Sequence, residues 1–233
     1  MKDATPENPE GKEKLPIRDA LAFGWHAVRT NFWFLIGLFG IVAGIAVGGV
    51  LLILFLSSAN DRVATLLGIL LRLAANTIVP TGAIAVSLKL CDNVKPRIED
   101  FLCPIKTILF YFVGSLIVGM FVVVGLLFFI VPGVYFGIRL SLCSYYIVDH
   151  GLDPIEAIKR SWEATQDNVG NLLVFMCTLF LLNLGGFLAL LVGLSVTMPL
   201  SMIAGVYIYR VLQHRLAART PPAIDMIPPP NIN

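Results

Sequence analysis

Long apolar blocks alternate with short charged segments along this chain, and the apolar blocks predict membrane spans. A helix needs about 20 predominantly apolar residues to cross a bilayer. Three blocks reach that length without a charged side chain, namely Phe32–Leu56, Thr107–Val131 and Asn171–Leu194. Val63–Leu90 is also long enough, and the shorter blocks Gly133–Val148 and Ser195–Leu212 complete a set of six. The predicted fold class is therefore all-α, a polytopic membrane protein with six transmembrane helices.

A short amphipathic segment precedes each pair of apolar blocks. The three copies begin near Asp19, Glu99 and Glu156. The first and third align without a gap, so that Asp19-Ala20, Trp25, Ala27 and Asn31 match Glu156-Ala157, Trp162, Ala164 and Asn168. The middle copy keeps its apolar spacing more loosely, at Ile98, Phe101, Ile105 and Ile108. Apolar residues at i, i+3 and i+7 form one stripe on a helix, which in the third copy comprises Ile155, Ile158, Trp162, Thr165 and Val169.

The repeated pattern predicts a single transmembrane domain, residues 17–215, made of three units. Each unit is an interfacial helix followed by a membrane hairpin, and the units cover residues 17–90, 96–148 and 154–215. The flanking segments 1–16 and 216–233 are polar or rich in proline, a composition typical of disordered tails. The first apolar block is too long for the core of a signal peptide, so no cleaved leader is expected.

Composition agrees with a membrane protein and offers no cofactor site. The chain is 57% hydrophobic and 14% charged, with a mean hydropathy of +0.83, which is too apolar for an ordinary soluble domain. The four cysteines form no CxxC pair and have no histidine at a zinc-site spacing, so we expect free thiols and no metal. Basic residues are interspersed with acidic ones, a pattern that does not indicate nucleic-acid binding.

The distribution of lysine and arginine predicts the orientation in the membrane. With six spans, both termini and the loops after the second and fourth spans lie on one side. Fourteen of the 17 basic residues fall on that side: Lys2, Lys12, Lys14, Arg18, Arg29, Lys89, Lys95, Arg97, Lys106, Lys159, Arg160, Arg210, Arg215 and Arg219. Because loops rich in lysine and arginine stay in the cytoplasm, both termini and the interfacial helices are predicted to be cytoplasmic.

Residues of the interfacial helices are suited to contact with lipid headgroups. Trp25 and Trp162 fit headgroup depth because an indole is apolar with one N–H to satisfy. Lys159 and Arg160 can meet anionic lipid phosphates, at roughly 1 kcal/mol each. Membrane lipids, including anionic phospholipids, are therefore the expected partners. The alternative is that the interfacial helices form a cytoplasmic collar that binds a protein partner.

Three motifs in the second half of the chain carry a family resemblance. The sequence reads Val-Pro-Gly-Val-Tyr-Phe-Gly-Ile-Arg-Leu-Ser-Leu over 131–142, Ile-Val-Asp over 147–149 and Pro-Ile-Glu-Ala-Ile-Lys-Arg-Ser-Trp over 154–162. These motifs resemble the YciC-like integral membrane proteins and the membrane domain fused to some glycerophosphodiester phosphodiesterases. The resemblance implies a bacterial cytoplasmic membrane, about six helices and no established chemistry. The soluble phosphodiesterase domain does not occur in this sequence, so hydrolysis is not expected.

Arg139 is the strongest candidate for a functional residue. Ten residues separate it from Asp149, which places it about 15 Å from the cytoplasmic edge and near the midplane of a core about 30 Å thick. An arginine at that depth is costly and normally faces protein, water or a partner. Its candidate partners are Asn76, Asn183, the free carbonyls near Pro132 and the phosphate of a lipid drawn inward. Tyr135 and Tyr146 lie on roughly the same helical face and can donate hydrogen bonds to the same group. Arg139 is expected either to tie its helix to neighbouring carbonyls or to bind an anion.

Other polar and small residues have structural interpretations. A modest shift of the second span places Arg72 at the outer interface, where its side chain can snorkel. Asp149 and His150 are interpreted as a solvated loop pair at the cytoplasmic boundary. Glycines spaced by four allow close helix packing within the chain, or between copies of a homo-oligomer, and they are Gly40, Gly44, Gly48, Gly133 and Gly137.

Three function classes remain, and no catalytic motif supports an enzyme. The favoured class is a non-enzymatic membrane protein that organises lipids or partner proteins through its cytoplasmic helices. The second is a transporter or lipid-handling protein that uses Arg139 as an anion ligand. The third is an enzyme with a site at the cytoplasmic boundary, which would use His150, Asp149 or His26.

Overall fold

The computed structural model describes residues 15–34, 37, 40, 44, 47–51, 62–92, 94, 98–101, 103–188 and 192–219. The regular structure in these residues is helical, and no strand occurs among them. The predicted tails lie largely outside this set. Leu15 is nevertheless buried, and the last helix continues to Arg219, so the folded part extends beyond the predicted limits of 17–215.

Eight α-helices and one 3₁₀ turn, which lies between the second and the third, have both ends among the described residues. Residues 32–34, 37, 40, 44 and 47–51 are helical as well. The helices are α1 (Ile17–Thr30), α2 (Arg62–Cys91), α3 (Ile105–Phe128), α4 (Ile130–Leu140), α5 (Cys143–His150), α6 (Pro154–Thr165), α7 (Val169–Leu188) and α8 (Val192–Arg219). The 3₁₀ turn covers Ile98–Phe101.

A sharp turn between α5 and α6 follows from three residues. Gly151 adopts the left-handed conformation, with φ of 63°, and ends α5. The carboxylate of Asp153 then accepts the backbone N–H of Ile155 at 3.3 Å, and Pro154 takes the first helical position, where its missing N–H costs nothing. The chain therefore reverses within a few residues, and α6 packs back against α5.

Four helical stretches are long and apolar enough to cross a membrane. They are Gly68–Cys91, Ile105–Phe128, Ile130–His150 and Val169–Leu188. These stretches correspond to four of the six predicted spans and agree with a helical membrane protein. The predicted span Phe32–Leu56 lies mostly outside the described residues, and Ser195–Leu212 lies within α8.

The middle amphipathic copy does not form the predicted helix. Its first residues form only the 3₁₀ turn Ile98–Phe101, whereas Ile105 and Ile108 belong to α3. Pro104 explains the difference, because a proline disfavours the helical conformation of the residue before it and has no N–H to donate. The predicted interfacial helix is therefore wrong for the second unit.

The three amphipathic segments pack on three different parts of the bundle. α1 lies against α8, the 3₁₀ turn lies against α2, and α6 lies against α4 and α5. A Cβ on Gly24 would lie only 3.1 Å from the carbonyl oxygen of Leu200. A Cβ on Gly82 would likewise collide with Phe101 of the 3₁₀ turn. At the third contact, the Ser161 hydroxyl donates to the carbonyl of Arg139 at 2.7 Å. Small side chains let the backbones approach at all three places.

The α1 and α6 helices bury the same face of their shared repeat. Aligned positions are buried in pairs, namely Ala20 and Ala157, Gly24 and Ser161, Ala27 and Ala164, and Val28 and Thr165. The aligned tryptophans face outward, with Trp25 50% exposed and Trp162 36% exposed. The apolar stripe predicted to lie at headgroup level in the third copy is wrong at Thr165, which is buried where α6 packs against α4, 3.3 Å from the carbonyl oxygen of Arg139.

Replacement of Gly24 by leucine tests the contact between α1 and α8. The new side chain would collide with the α8 backbone at Leu200, and over-packing of this kind costs about 1–3 kcal/mol. We expect Gly24→Leu to lower the melting temperature of the protein in detergent. The matched control is Gly119→Leu in α3, where an added Cβ meets nothing within 4 Å. Equal melting temperatures for the two variants would contradict this packing.

Candidate functional site

Arg139 joins α4 to α6 through contacts made by its guanidinium group. The residue is only 7% exposed. Its Nε donates to the hydroxyl of Tyr135 at 3.0 Å, and its Nη1 donates to the carbonyl of Trp162 at 2.9 Å. The guanidinium also lies over the Trp162 indole, 4.3 Å from the ring centre, a contact that is favourable for a desolvated cation. This geometry suits a tie between helices better than an open anion site.

Arg139 both donates hydrogen bonds to α6 and accepts them from it. The carbonyl of Arg139 lies in the last turn of α4, where backbone acceptors lack partners within the helix. It accepts from the hydroxyl of Ser161 at 2.7 Å, and the hydroxyl oxygen of Thr165 lies 3.3 Å away. One residue therefore donates to α6 through its side chain and accepts from α6 through its backbone.

The contact between Arg139 and Trp162 gives the two residues one depth in the membrane. Arg139 lies ten residues, or about 15 Å, from Asp149 along the helices, whereas Trp162 is predicted at headgroup level. Because the two side chains touch, a depth near the membrane midplane for Arg139 and a depth at the headgroups for Trp162 exclude each other. The structural reason is that α6 packs against both α5 and α4, which brings Trp162 to Arg139.

Three other predicted partners of Arg139 make their contacts elsewhere. Asn183 donates from its side chain to the hydroxyl of Ser201 at 2.8 Å and so joins α7 to α8. Asn76 lines a groove on α2. Tyr146 is buried, and its hydroxyl has no hydrogen-bond partner within the described structure. Among the residues that the structure describes, the hydrogen bonds of the Arg139 guanidinium go to Tyr135 and Trp162 and to none of these three side chains. Their role as anion ligands stays a prediction.

A second polar cluster joins the ends of α2 and α5 to α8. We call it the Arg210 cluster, and its members are Asp92, Asp149, His150, Tyr209, Arg210 and Gln213. Arg210 holds both oxygens of Asp149, at 2.7 Å from Nη1 and 3.1 Å from Nη2, and its Nη2 also donates to Asp92 at 2.8 Å. The Tyr209 hydroxyl donates to Asp149 at 2.9 Å. One guanidinium thus connects the end of α2 and the end of α5 to α8.

The interpretation of Asp149 and His150 as a solvated loop pair is wrong. Both residues belong to α5, and the side chain of Asp149 is only 13% exposed. The Nε2 atom of His150 lies 3.2 Å from the carboxylate of Asp149 and 2.7 Å from the amide nitrogen of Gln213. A buried carboxylate needs such partners because leaving it unpaired is very costly.

The Arg210 cluster holds helices together through ion pairs and hydrogen bonds. It borders an open polar pocket of about 460 Å³, lined by Asp92, Arg210, Gln213, His214 and Ala217. The guanidinium is already shared between two carboxylates, which leaves it poorly placed to bind a further anion. Within the described part of the chain, no group of three or more His, Cys, Asp or Glu side chains is arranged to hold a metal ion.

Sequence reasoning missed Asp92 and Arg210 because their partners are distant in the chain. Arg210 lies 61 residues from Asp149 and 118 residues from Asp92, so no local spacing reveals the cluster. The repeat offers one signal. Asp92 and Asp149 each stand seven residues before the acidic residue that opens the next amphipathic copy, Glu99 and Glu156 respectively. The two carboxylates are thus equivalent positions of the repeat.

The predicted lipid anchors lie on the outer sides of α1 and α6. Lys159 is exposed, and Arg160 is half-buried with its guanidinium 3.6 Å from the carboxylate of Glu156, one turn earlier. On α1, Trp25 and the basic side chain of Arg29 line one shallow surface groove.

The four cysteines are free thiols, as predicted. Cys103 lies between the 3₁₀ turn and α3, and burial raises the pKa of its thiol above the usual value. A raised pKa leaves little thiolate at neutral pH and makes the residue a poor nucleophile.

Comparisons with known proteins find mycobacterial relatives. The chain is 29% identical over 154 residues to uncharacterized proteins of Mycobacterium bovis and of two strains of Mycobacterium tuberculosis. The alignment covers 65% of this chain and 47% of each relative, so the chain spans about half the length of the curated relatives it matches. No family model matches the sequence, and no solved structure matches it. The resemblance to the YciC-like proteins stays a prediction.

Substitution of Arg139 tests the tie between α4 and α6. Arg139→Leu removes two charge-assisted hydrogen bonds and the contact with the indole, and we expect it to lower the free energy of unfolding by about 2–4 kcal/mol. Arg139→Lys keeps the charge but loses the planar fork, so its effect should be intermediate. Unfolding in mixed micelles measures both, with Lys159→Leu on the exposed side of α6 as the control. A wild-type value for Arg139→Leu would contradict the tie.

Proposed function

We propose that this chain is a non-enzymatic protein of the bacterial cytoplasmic membrane that holds anionic lipids or a partner protein at its cytoplasmic face. In this proposal six helices span the bilayer, and three units form a ring around a common centre. α1 and α6 present the binding surfaces. The observation that carries the proposal is the outward-facing groove on α1 that contains Trp25 and Arg29.

Equivalent positions along the chain support the three-unit arrangement. Gly82, Arg139 and Leu200 follow one another at intervals of 57 and 61 residues. Each of them touches an amphipathic segment of a different unit: Gly82 the 3₁₀ turn of the second, Arg139 the α6 helix of the third, and Leu200 the α1 helix of the first. Each unit therefore rests on the one before it, and the first rests on the third, which closes a ring.

The Arg210 cluster lies where the three units would meet. Asp92, Asp149 and Arg210 have the same intervals of 57 and 61 residues. Each lies at the charged end of the second apolar element of its unit. In the proposed ring these three positions are related by approximate three-fold symmetry, and the two carboxylates share the one guanidinium. The ring is closed at this end by charge pairing.

The outer surface of α1 has the chemistry of a headgroup site. Trp25, His26 and Arg29 are all exposed on this helix, and with two neighbours they line a shallow groove of about 610 Å³. An exposed indole beside a cation suits the boundary between acyl chains and headgroups. The opposite face of α1 is packed on α8, so the groove faces outward. Anionic phosphates are attracted to Arg29 at roughly 1 kcal/mol.

The contacts of the other candidates favour this class of function over the alternatives. Both hydrogen-bonding groups described for the Arg139 guanidinium reach protein atoms, which argues against an open anion ligand on a transport path. Asp149 is engaged by Arg210 and the hydroxyl of Tyr209, and this leaves it a poor general base for an enzyme.

Lipid contact at α1 is testable by fluorescence quenching. A variant with Trp33→Phe and Trp162→Phe retains Trp25 as its one tryptophan, since the chain has three. In nanodiscs, brominated phosphatidylglycerol should quench Trp25 more than brominated phosphatidylcholine does. A contribution of roughly 1 kcal/mol from Arg29 corresponds to about a fivefold local enrichment of the anionic lipid.

The control for the quenching experiment separates Arg29 from general charge effects. Arg29→Gln should abolish the difference between the two lipids, because the cation near the indole is lost. Lys106→Gln, an exposed basic residue on α3, should preserve that difference. Equal quenching by the two lipids in the parent single-tryptophan protein would overturn lipid selectivity at α1.

A further inference from the structure

An apolar groove lies between α2 and the first hydrophobic stretch of the chain. Its volume is about 620 Å³, which is within the usual range of about 300–1,000 Å³ for a small-molecule site. Val50 and Leu51 line one wall, and Val79 and Pro80 contribute to the α2 wall. The lining is apolar over most of its surface, so the body of any ligand bound there must be apolar as well.

Arg72 is the one cation among the described residues that line this groove. It is exposed, as is Asn76 one helical turn along α2, and residues four apart share a helix face. No hydrogen bond or ion pair to Arg72 occurs among the residues that the structure describes, and none of the described lining residues is acidic. The described lining of the groove therefore combines an apolar body with one positive charge and no carboxylate.

The position of Arg72 along α2 corresponds to the bilayer surface opposite the Arg210 cluster. Nineteen residues separate it from Cys91, the last residue of α2, which amounts to about 28 Å along a helix. The Cys91 end of α2 is marked by charge pairs, those of Lys89 with Asp100 and of Asp92 with Arg210. A core about 30 Å thick that begins at this charged end reaches the level of Arg72.

From this geometry we infer that the groove binds one anionic phospholipid of the leaflet opposite the Arg210 cluster. The lipid phosphate pairs with the guanidinium of Arg72, whose planar fork matches phosphate oxygens. The amide of Asn76, one turn deeper, donates to the ester region of the lipid. One acyl chain extends toward the membrane centre along Val79 and Pro80.

Charge complementarity selects an anionic lipid over a zwitterionic one. The described lining offers no carboxylate to receive the ammonium group of a choline or ethanolamine lipid. A headgroup with a phosphate and no cation neutralises Arg72, whereas a zwitterionic headgroup adds a second, unpaired positive charge. The site is separate from the α1 surface, since it lies at the other end of the bundle and shares no residue with Trp25 or Arg29.

Native mass spectrometry of the full chain in detergent tests the inference, with phosphatidylglycerol and phosphatidylcholine of equal chain length as probes. We expect wild type to bind phosphatidylglycerol in preference, and Arg72→Leu to weaken one of its binding events by about tenfold, as loss of a charge-assisted contact predicts. Ala75→Phe, which fills the groove and leaves Arg72 intact, should weaken the same event. Lys106→Leu on α3 is the charge-matched control and should bind as wild type does.

Two further comparisons make the test decisive. Melting temperatures establish that each variant is folded, and Arg29→Gln should remove a different binding event, so that the double variant with Arg72→Leu loses both. The inference is overturned if folded Arg72→Leu and Ala75→Phe both retain wild-type affinity. It is also overturned if phosphatidylcholine occupies the Arg72-dependent site as tightly as phosphatidylglycerol. Either result leaves the proposal for α1 standing, because that proposal depends on Arg29.

Discussion

Arg210 of α8 connects the ends of α2 and α5 through one guanidinium, and the geometry of the bundle at this place depends on it. It bonds the carboxylates of Asp92 and Asp149, which lie at the ends of α2 and α5. Loss of one partner from a partly buried pair leaves the other charge uncompensated. Both carboxylates lie near a helix C-terminus and so face the negative end of a helix dipole. The need is greater at Asp149, because its side chain is 13% exposed against 48% for Asp92. Arg210 and the Tyr209 hydroxyl offset that repulsion.

The position of α5 in turn determines that of α6. α5 has eight residues, and a helix of that length is not stable without tertiary contacts. Once the Arg210 cluster holds its end, the left-handed turn at Gly151 sends the chain back along it. The reciprocal bonds of Arg139 with α6 then secure α4 about 15 Å further up. Two sets of polar contacts, those of the Arg210 cluster and those of Arg139, thus fix the positions of the short helices α4, α5 and α6.

Much of this architecture could be predicted from local signals, and the rest depends on partners that such signals do not contain. The start of α6 follows from Asp153 and Pro154, and the cap is present. The structure of the middle copy could not be predicted in this way. Its apolar spacing continues from Ile98 past Pro104, whereas the helix that contains Ile105 begins only after this proline. The isolation of Arg139 in an apolar block marks it as important, but its main acceptor is a backbone carbonyl, which has no sequence signature.

The Arg210 cluster illustrates the same limit at longer range. Its ion pairs join residues 61 and 118 positions apart, so only the register of the repeat relates them. In the proposed ring, the side of the molecule with these pairs is cytoplasmic, and the exposed tryptophan and arginine of α1 belong to the surface that meets lipid or a partner. The buried faces of α1 and α6 serve packing within the protein. Their small residues, at equivalent positions of the repeat, let α1 and α6 pack closely against different helices.

A double-mutant cycle between Asp149 and Arg210 tests the central claim most directly. Free energies of unfolding in mixed micelles would be measured for Asp149→Asn, Arg210→Gln and the double variant. A second cycle would combine Arg210→Gln with Glu156→Gln, since the Glu156 side chain is exposed and is not a member of the cluster. If the pair joins the second and third units, the Asp149 cycle should give a coupling energy of about 2 kcal/mol or more, and the Glu156 cycle should be additive to within about 0.5 kcal/mol. Additive effects of Asp149→Asn and Arg210→Gln would contradict a bundle held together at this cluster.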